Sequence, residues 1–252
     1  MASAPPTIVL AFMAHPDDAE IFCGGSLILL ENLGWEVHIA TTTPGDCGTM
    51  DRNSWDISSV RTQEAATAAK RIGATYHCLD ERDGFVVYDK PTIAKTLDLF
   101  RRIAPTLVLT HAPRDYMEDH EQASLLARAV SFLYPAPNAS TTPLRRSAHV
   151  PHLYYCDAMD GTDPLGITLK PTTFIDVSLV HEQKLAMLAC HTSQREWLRA
   201  HHGIDEYLEG VRRHDSRNGG LRGIKFAEAF VQHRGHAYPQ DDLLARLLNK
   251  EK

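Results

Sequence analysis

The sequence predicts an α/β fold, a mostly parallel sheet with helices on both faces. Two observations carry this. Residues 8–13 (IVLAFM) and 106–110 (TLVLT) are apolar runs of the kind found in strands buried on both sides. Amphipathic segments of helical length alternate with such runs, and β-α-β-α alternation is the pattern of parallel strands joined by crossover helices.

The elements come in this order. After the first strand at 8–13, Gly24 and Gly25 open a helix at 26–33, ended by Gly34. Residues 37–42 read as a second strand, and 44–54 as a polar loop. An amphipathic helix at 56–72 stops at Gly73, and a short strand is predicted at 76–79. The helix at 92–103 stops before Pro105, the strand at 106–110 comes next, and another helix is predicted at 121–133. Residues 135–151 hold four prolines and read as a long surface loop, with Arg145 and Arg146 as a solvated pair. Strands at 153–156 and 174–177 and helices at 179–189, 195–201 and 241–249 complete the chain. No repeat or composition shift marks a boundary, so residues 1–252 are expected to form one domain, with a core over about 8–232.

Composition narrows the function. With 43% hydrophobic and 23% charged residues in 252, the chain is an ordinary globular one. A net charge of −6 argues against nucleic acid or an anionic membrane surface as partner. No apolar run approaches the ~20 residues of a membrane span. The first residues lack a basic secretory n-region, and five cysteines without a CxxC pair suit a reducing compartment, so a cytoplasmic location is expected.

In open α/β sheets, ligands bind beyond the carboxyl ends of the strands. A dinucleotide site would need G-x-G-x-x-G after the first strand, and the sequence has FCGGS instead. The first strand runs directly into His15-Pro16-Asp17-Asp18, and the fourth strand leads into His111 to His120. His15 and Asp18, three apart in a turn stiffened by Pro16, can converge on one ion. His120 is a plausible third ligand, and two histidines with one carboxylate leave a position open, as catalytic zinc does. Asp17 would then lie beside the metal. The competing reading is a helix N-cap, in which an Asp satisfies free N–H groups.

These residues resemble a known family. Ala14-His15-Pro16-Asp17-Asp18-Ala19-Glu20 with Gly24-Gly25 is similar to the opening signature of the PIG-L/LmbE-like zinc deacetylases. Arg61-x-x-Glu64 with Ala68-Ala69 and Gly73, Asp83-Gly84, Asp119-His120, 184–194 (KLAMLACHTSQ) and 227–230 (AEAF) resemble its later blocks. The resemblance implies a Rossmann-like three-layer fold, a Zn2+ cofactor (iron or nickel would also suit the ligand set) and removal of an acetyl group from an N-acetylglucosamine-like small molecule. It also implies His15, Asp18 and His120 as metal ligands, Asp17 as general base on an activated water, Arg61 and Asp83 as substrate-binding groups, and a homo-oligomer. For Arg61, an intrahelical pair with Glu64 is the alternative.

One departure bears on mechanism. Where many members carry a second histidine three residues before the distal ligand, this chain has Met117, whose thioether donates no proton. His111, Arg114 and His191 are the candidates to replace it, and His191, in the HTSQ block, is the preferred catalytic one. Two other readings remain open: a zinc hydratase adding water to an activated alkene, and a non-catalytic metal-binding protein.

Overall fold

The computed structural model describes residues 7–143, 149–168, 170–202 and 206–249, so Arg145 and Arg146 lie outside the described residues. In chain order the elements are β1 (Ile8–Met13), α1 (Asp18–Phe22), α2 (Gly24–Asn32), β2 (Glu36–Thr41), α3 (Ser54–Lys70), β3 (Thr75–Cys78), α4 (Lys90–Ile103), β4 (Leu107–Thr110), α5 (Glu118–Leu133), β5 (His152–Cys156), β6 (Thr173–Asp176), α6 (His181–Leu188), α7 (Thr192–His202), α8 (Glu206–Gly220), β7 (Ala227–Gln232) and α9 (Leu243–Leu248).

The unbroken apolar character of β1 has a direct cause: every residue of it is buried, and alternate side chains enter different cores. Val9, Ala11 and Met13 pack with Leu27 and Leu30 of α2, Met187 of α6 and Leu244 of α9. Ile8, Leu10 and Phe12 pack with Leu97 and Phe100 of α4 and Leu126 and Val130 of α5. Helices therefore cover both faces of the sheet, giving the three layers expected.

The sheet has seven strands in the order β3-β2-β1-β4-β5-β7-β6. β1 pairs in parallel with β2 and β4, β2 with β3, and β4 with β5. β7 runs antiparallel to both of its neighbours, β5 and β6. The chain leaves β1 toward β2 and β3, then returns to place β4 on the other side. The crevice at the carboxyl ends of β1 and β4 is thus a topological switch point, where such sheets bind ligands. Residues 14–18 and 111–120 lie there.

Three elements go beyond the sequence expectation. α1 forms where the motif predicts a simple turn. β7 escapes the sequence pattern because its apolar run is broken by Glu228, a carboxylate buried in the core. α8 escapes it because the helix buries His214, Asp215 and Asn218, which hides the apolar period that reveals a helix. Among the described residues, no helix is long and apolar enough to cross a membrane.

Candidate active site

β1 ends in the turn that the motif predicts. The Asp18 Oδ2 accepts the His15 backbone N–H at 2.7 Å. Asp17 sits at φ 105°, in the left-handed region that strains a side-chain-bearing residue, and such strain clusters at functional sites. Although Asp17 occupies the N-cap position of α1, its carboxylate caps no helix N–H. Its Oδ2 instead accepts from the Tyr207 hydroxyl at 2.7 Å and from Arg61 Nη2 at 3.4 Å. The N-cap reading of Asp17 is thereby overturned.

The loop after β4 meets this turn. The His111 Nε2 accepts the Ala14 backbone N–H at 3.0 Å, tying the two strand ends together. His120 lies in the first turn of α5, with its Nδ1 2.9 Å from Asp115 Oδ1. A carboxylate on one ring nitrogen fixes the tautomer and leaves the other as a bare acceptor. That other atom, Nε2, is buried, has no hydrogen-bond partner, and stands 3.5 Å from Asp18 Oδ1. His15 repeats the arrangement. Its Nε2 faces Asp83 Oδ1 at 3.2 Å and Asp119 Oδ2 at 3.3 Å, while its Nδ1 faces Asp18 Oδ2 at 3.3 Å.

Two imidazole acceptors therefore converge on one carboxylate. Acceptors facing each other in a buried site require a proton or a cation between them. Ligating atoms of buried His15, Asp18 and His120 lie within 4.8 Å of one another, so the donor set fits a divalent ion with an open position. The electrostatics agree. Burial alone would lower the His120 pKa, yet the Asp18 and Asp115 carboxylates carry it up to about 9. Burial would raise the Asp18 pKa, yet His120 and His111 hold it well below the carboxylate range.

Three further groupings share this neighbourhood, but hydrogen bonds already occupy them. In His111–Asp115–His120, the Nδ1 of His120 is held by Asp115. In His15–Asp83–Asp119, the Asp119 Oδ2 accepts the Gly84 N–H at 2.6 Å. In Asp46–Cys47–Asp83, Asp46 accepts the Asp83 N–H and Asp83 accepts that of Cys47.

A cavity of about 600 Å3 opens over the set, lined by His15, Asp18 and His120 together with Asp17, Arg61 and Asp83. Burial pushes the Asp17 pKa up, against the opposing pull of the Arg61 guanidinium. Arg61 is itself buried, donating to Pro16 O at 2.8 Å and Gly45 O at 3.2 Å. Glu64 instead accepts from the backbone and hydroxyl of Ser193, so the helical Arg61–Glu64 pair gives way to two loop clamps. Asp83 reaches both His15 and the cavity.

His191 does not line the cavity; it is fully buried, its Nε2 3.4 Å from Glu20 Oε1. His111 and Arg114 do not line it either, whereas Met117 does. Burial would lower the His191 pKa, but Glu20 raises it, and Asp17 is close enough to add to that effect. Sequence reasoning missed Tyr207, which arrives on α8 and has no local motif. It named Asp119 only beside His120 in a family-like block and gave Asp115 no role; their contacts to the His15 and His120 imidazoles are visible only in three dimensions.

Comparisons with known proteins bear on the family and the fold. The profile of the PIG-L family, GlcNAc-PI de-N-acetylase, matches residues 10–131. Diacetylchitobiose deacetylase of Thermococcus kodakarensis is 30% identical over 200 residues, 74% of this chain and 69% of the relative. 4-Oxalmesaconate hydratase of Pseudomonas putida is 27% identical over 200 residues, 76% of each chain. The solved N,N'-diacetylchitobiose deacetylase of Pyrococcus horikoshii superposes with a TM-score of 0.78 at 24% identity, covering 94% of this chain and 88% of that one. An HPDD turn and a distal histidine at the switch point of this sheet, with a relative at this identity and coverage, place the chain in the PIG-L family of deacetylase-like enzymes.

Proposed function

We propose that this chain is a zinc-dependent hydrolase that removes an acyl group from the amide nitrogen of a small molecule, the N-acetylglucosamine-like amides being the family's model. The observation that carries the reading is Asp17, a strained, cavity-facing carboxylate that caps no helix and stands beside the His15–Asp18–His120 set. A structural metal site needs no such group.

His15, Asp18 and His120 would hold the ion. Once bound, a divalent ion polarises an acyl oxygen and lowers the pKa of a water toward neutrality. Asp17 takes the proton of the attacking water and, once protonated, delivers it to the leaving nitrogen. That second role matters because Met117 supplies no proton. Tyr207 and Arg61 aim the Asp17 carboxylate. His191, outside the cavity, is close enough to Asp17 to influence it electrostatically and is assigned a positioning role.

Met117 also favours a second reading, a hydratase, since adding water to an activated alkene expels no amine that needs protonation. A relative 27% identical to this chain is a hydratase, which supports the same reading. Products separate the two. Metal-loaded protein is incubated with a panel of N-acylated amines and with conjugated unsaturated acids, scoring free amine against loss of alkene absorbance. Hydrolysis predicts amine release, lost by roughly 10²–10⁴-fold in Asp17→Asn with metal content unchanged. Full activity in that variant refutes the mechanism.

A further inference from the structure

The cavity over the candidate metal set has two kinds of lining. Its polar side is already engaged. Gln194 Nε2 donates to Gly48 O at 2.9 Å, and Arg61 donates to Gly45 O, Pro16 O and Asp17. The Asp83 Oδ2 accepts from the Cys47 N–H at 3.2 Å, and Glu206 is bound to Arg213. Apart from Cys47, the exposed Tyr116 and Tyr207, whose hydroxyl is held by Asp17, the other side chains of the wall are apolar: Ile21 of α1, Met117, Met159 and Val211 of α8. Ile21 packs against the Leu185–Leu188–Tyr207–Val211 cluster and Met159 against the larger core that includes Val177 and Met187, so these parts of the wall are exposed edges of packed cores.

A hydroxyl-rich sugar ring would fit such a wall badly. Each hydroxyl buried without a partner weakens binding by roughly 5- to 150-fold, and Ile21, Met117, Met159 and Val211 offer no partner. An apolar group gains on the same wall, roughly 10-fold or more for each methylene well packed.

We infer that the substrate carries an apolar body, an alkyl chain or a single aromatic ring, against Ile21, Met117, Met159 and Val211, and that these residues select it over N-acetylhexosamines. The identity of the reacting amide rests on the hydrolase reading; the character of the wall does not.

The test uses metal-loaded full-length protein and two readouts. Calorimetry compares phenylacetohydroxamate with acetohydroxamate, which share a metal-binding head and differ only in the ring. The ring is expected to tighten binding at least ~10-fold. Val211→Asn, and separately Met159→Gln should the first fail to fold, are expected to remove most of that gain without loss of bound metal. Equal binding of the two hydroxamates, or a gain that survives both variants, overturns the inference. In the second readout, N-acetylbenzylamine is expected to exceed N-acetylglucosamine in kcat/KM. A preference for the sugar overturns the inference while leaving the hydrolase reading intact. Release of amine from neither, with the ring preference in binding preserved, sinks the hydrolase reading and upholds the apolar wall.

Discussion

Replacing Tyr207 with Phe removes one hydroxyl and leaves the ring in place. In the structure that hydroxyl donates to Asp17 Oδ2 at 2.7 Å, and Tyr207 is buried. A hydrogen bond to a charged group contributes about 1.5–3 kcal/mol. The bond favours the ionised carboxylate, so losing it raises the Asp17 pKa, which burial already pushes up. At about 1.4 kcal/mol per pH unit, the expected rise is roughly 1–2 units. A general base works only when deprotonated. The acidic limb of the kcat/KM profile should therefore move to higher pH by that amount, while the plateau above it falls far less. The assay is amine release across pH 5–9 on metal-loaded protein, with metal content measured at each pH. A Tyr207→Phe profile that falls uniformly without moving its acidic limb would refute the claim that Tyr207 acts through the charge of Asp17.

Asp115→Asn keeps the contact to His120 Nδ1 but removes the carboxylate charge, and second-sphere changes of this kind weaken metal binding by about 10–100-fold. Competition titration against a chelator measures it, and unaltered affinity would show that the charge of Asp115 does not strengthen His120 as a ligand. A third prediction concerns stability in acid. Burial depresses the His214 pKa to about 4, below the unfolded value of 6.5, so the native state favours the neutral ring. The associated stability is complete above pH 6.5 and is lost as pH falls toward 4, roughly 3 kcal/mol in all. Urea unfolding of His214→Gln should show a shallower loss over that window, and an unchanged slope would assign the acid sensitivity to other groups.

The parts of the fold that could be read from sequence are those where one physical demand dominates. β1 and β4 are buried on both faces and so are continuously apolar. α4 ends where Pro105 forbids continuation, whereas α3 opens two residues before the predicted Asp56, at Asn53, whose side chain accepts the Asp56 N–H. His15, Asp18 and His120 were legible because a parallel sheet gathers its strand ends, so residues far apart in sequence meet at a predictable place. Tyr207 was not. It reaches Asp17 across 190 residues from a helix whose inward face is largely polar, and no local pattern announces that. His191 misled for a related reason: the HTSQ block lies beside the site, but Ser193 and Gln194 are turned to Glu64 and Gly48, and the imidazole into the interior.

The family-like blocks divide into those that face the cavity and those that hold it in shape. Gly25 needs to be glycine because a Cβ there would stand 2.6 Å from Val177 Cγ1. Its N–H and that of Ser26 donate to the Glu228 carboxylate at 2.7 Å each, closing the start of α2 onto β7. Lys184 of α6, fully buried, binds Glu228 Oε1 at 2.8 Å and Asp215 Oδ2 at 2.7 Å. Burial would lower the Lys184 pKa, but the Asp215 and Glu228 carboxylates raise it. Residues from three separated blocks thus join in one ion cluster, and none of them lines the cavity. Its consequence for chemistry runs along α8. Asp215 and Tyr207 are eight residues apart on that helix, about 12 Å along its axis. The cluster fixes where α8 sits lengthwise, and a slip of one turn, about 5.4 Å, would carry the Tyr207 hydroxyl out of reach of Asp17. A polar interior that obscures the helix in the sequence is therefore the same feature that sets the reach of the tyrosine aiming Asp17.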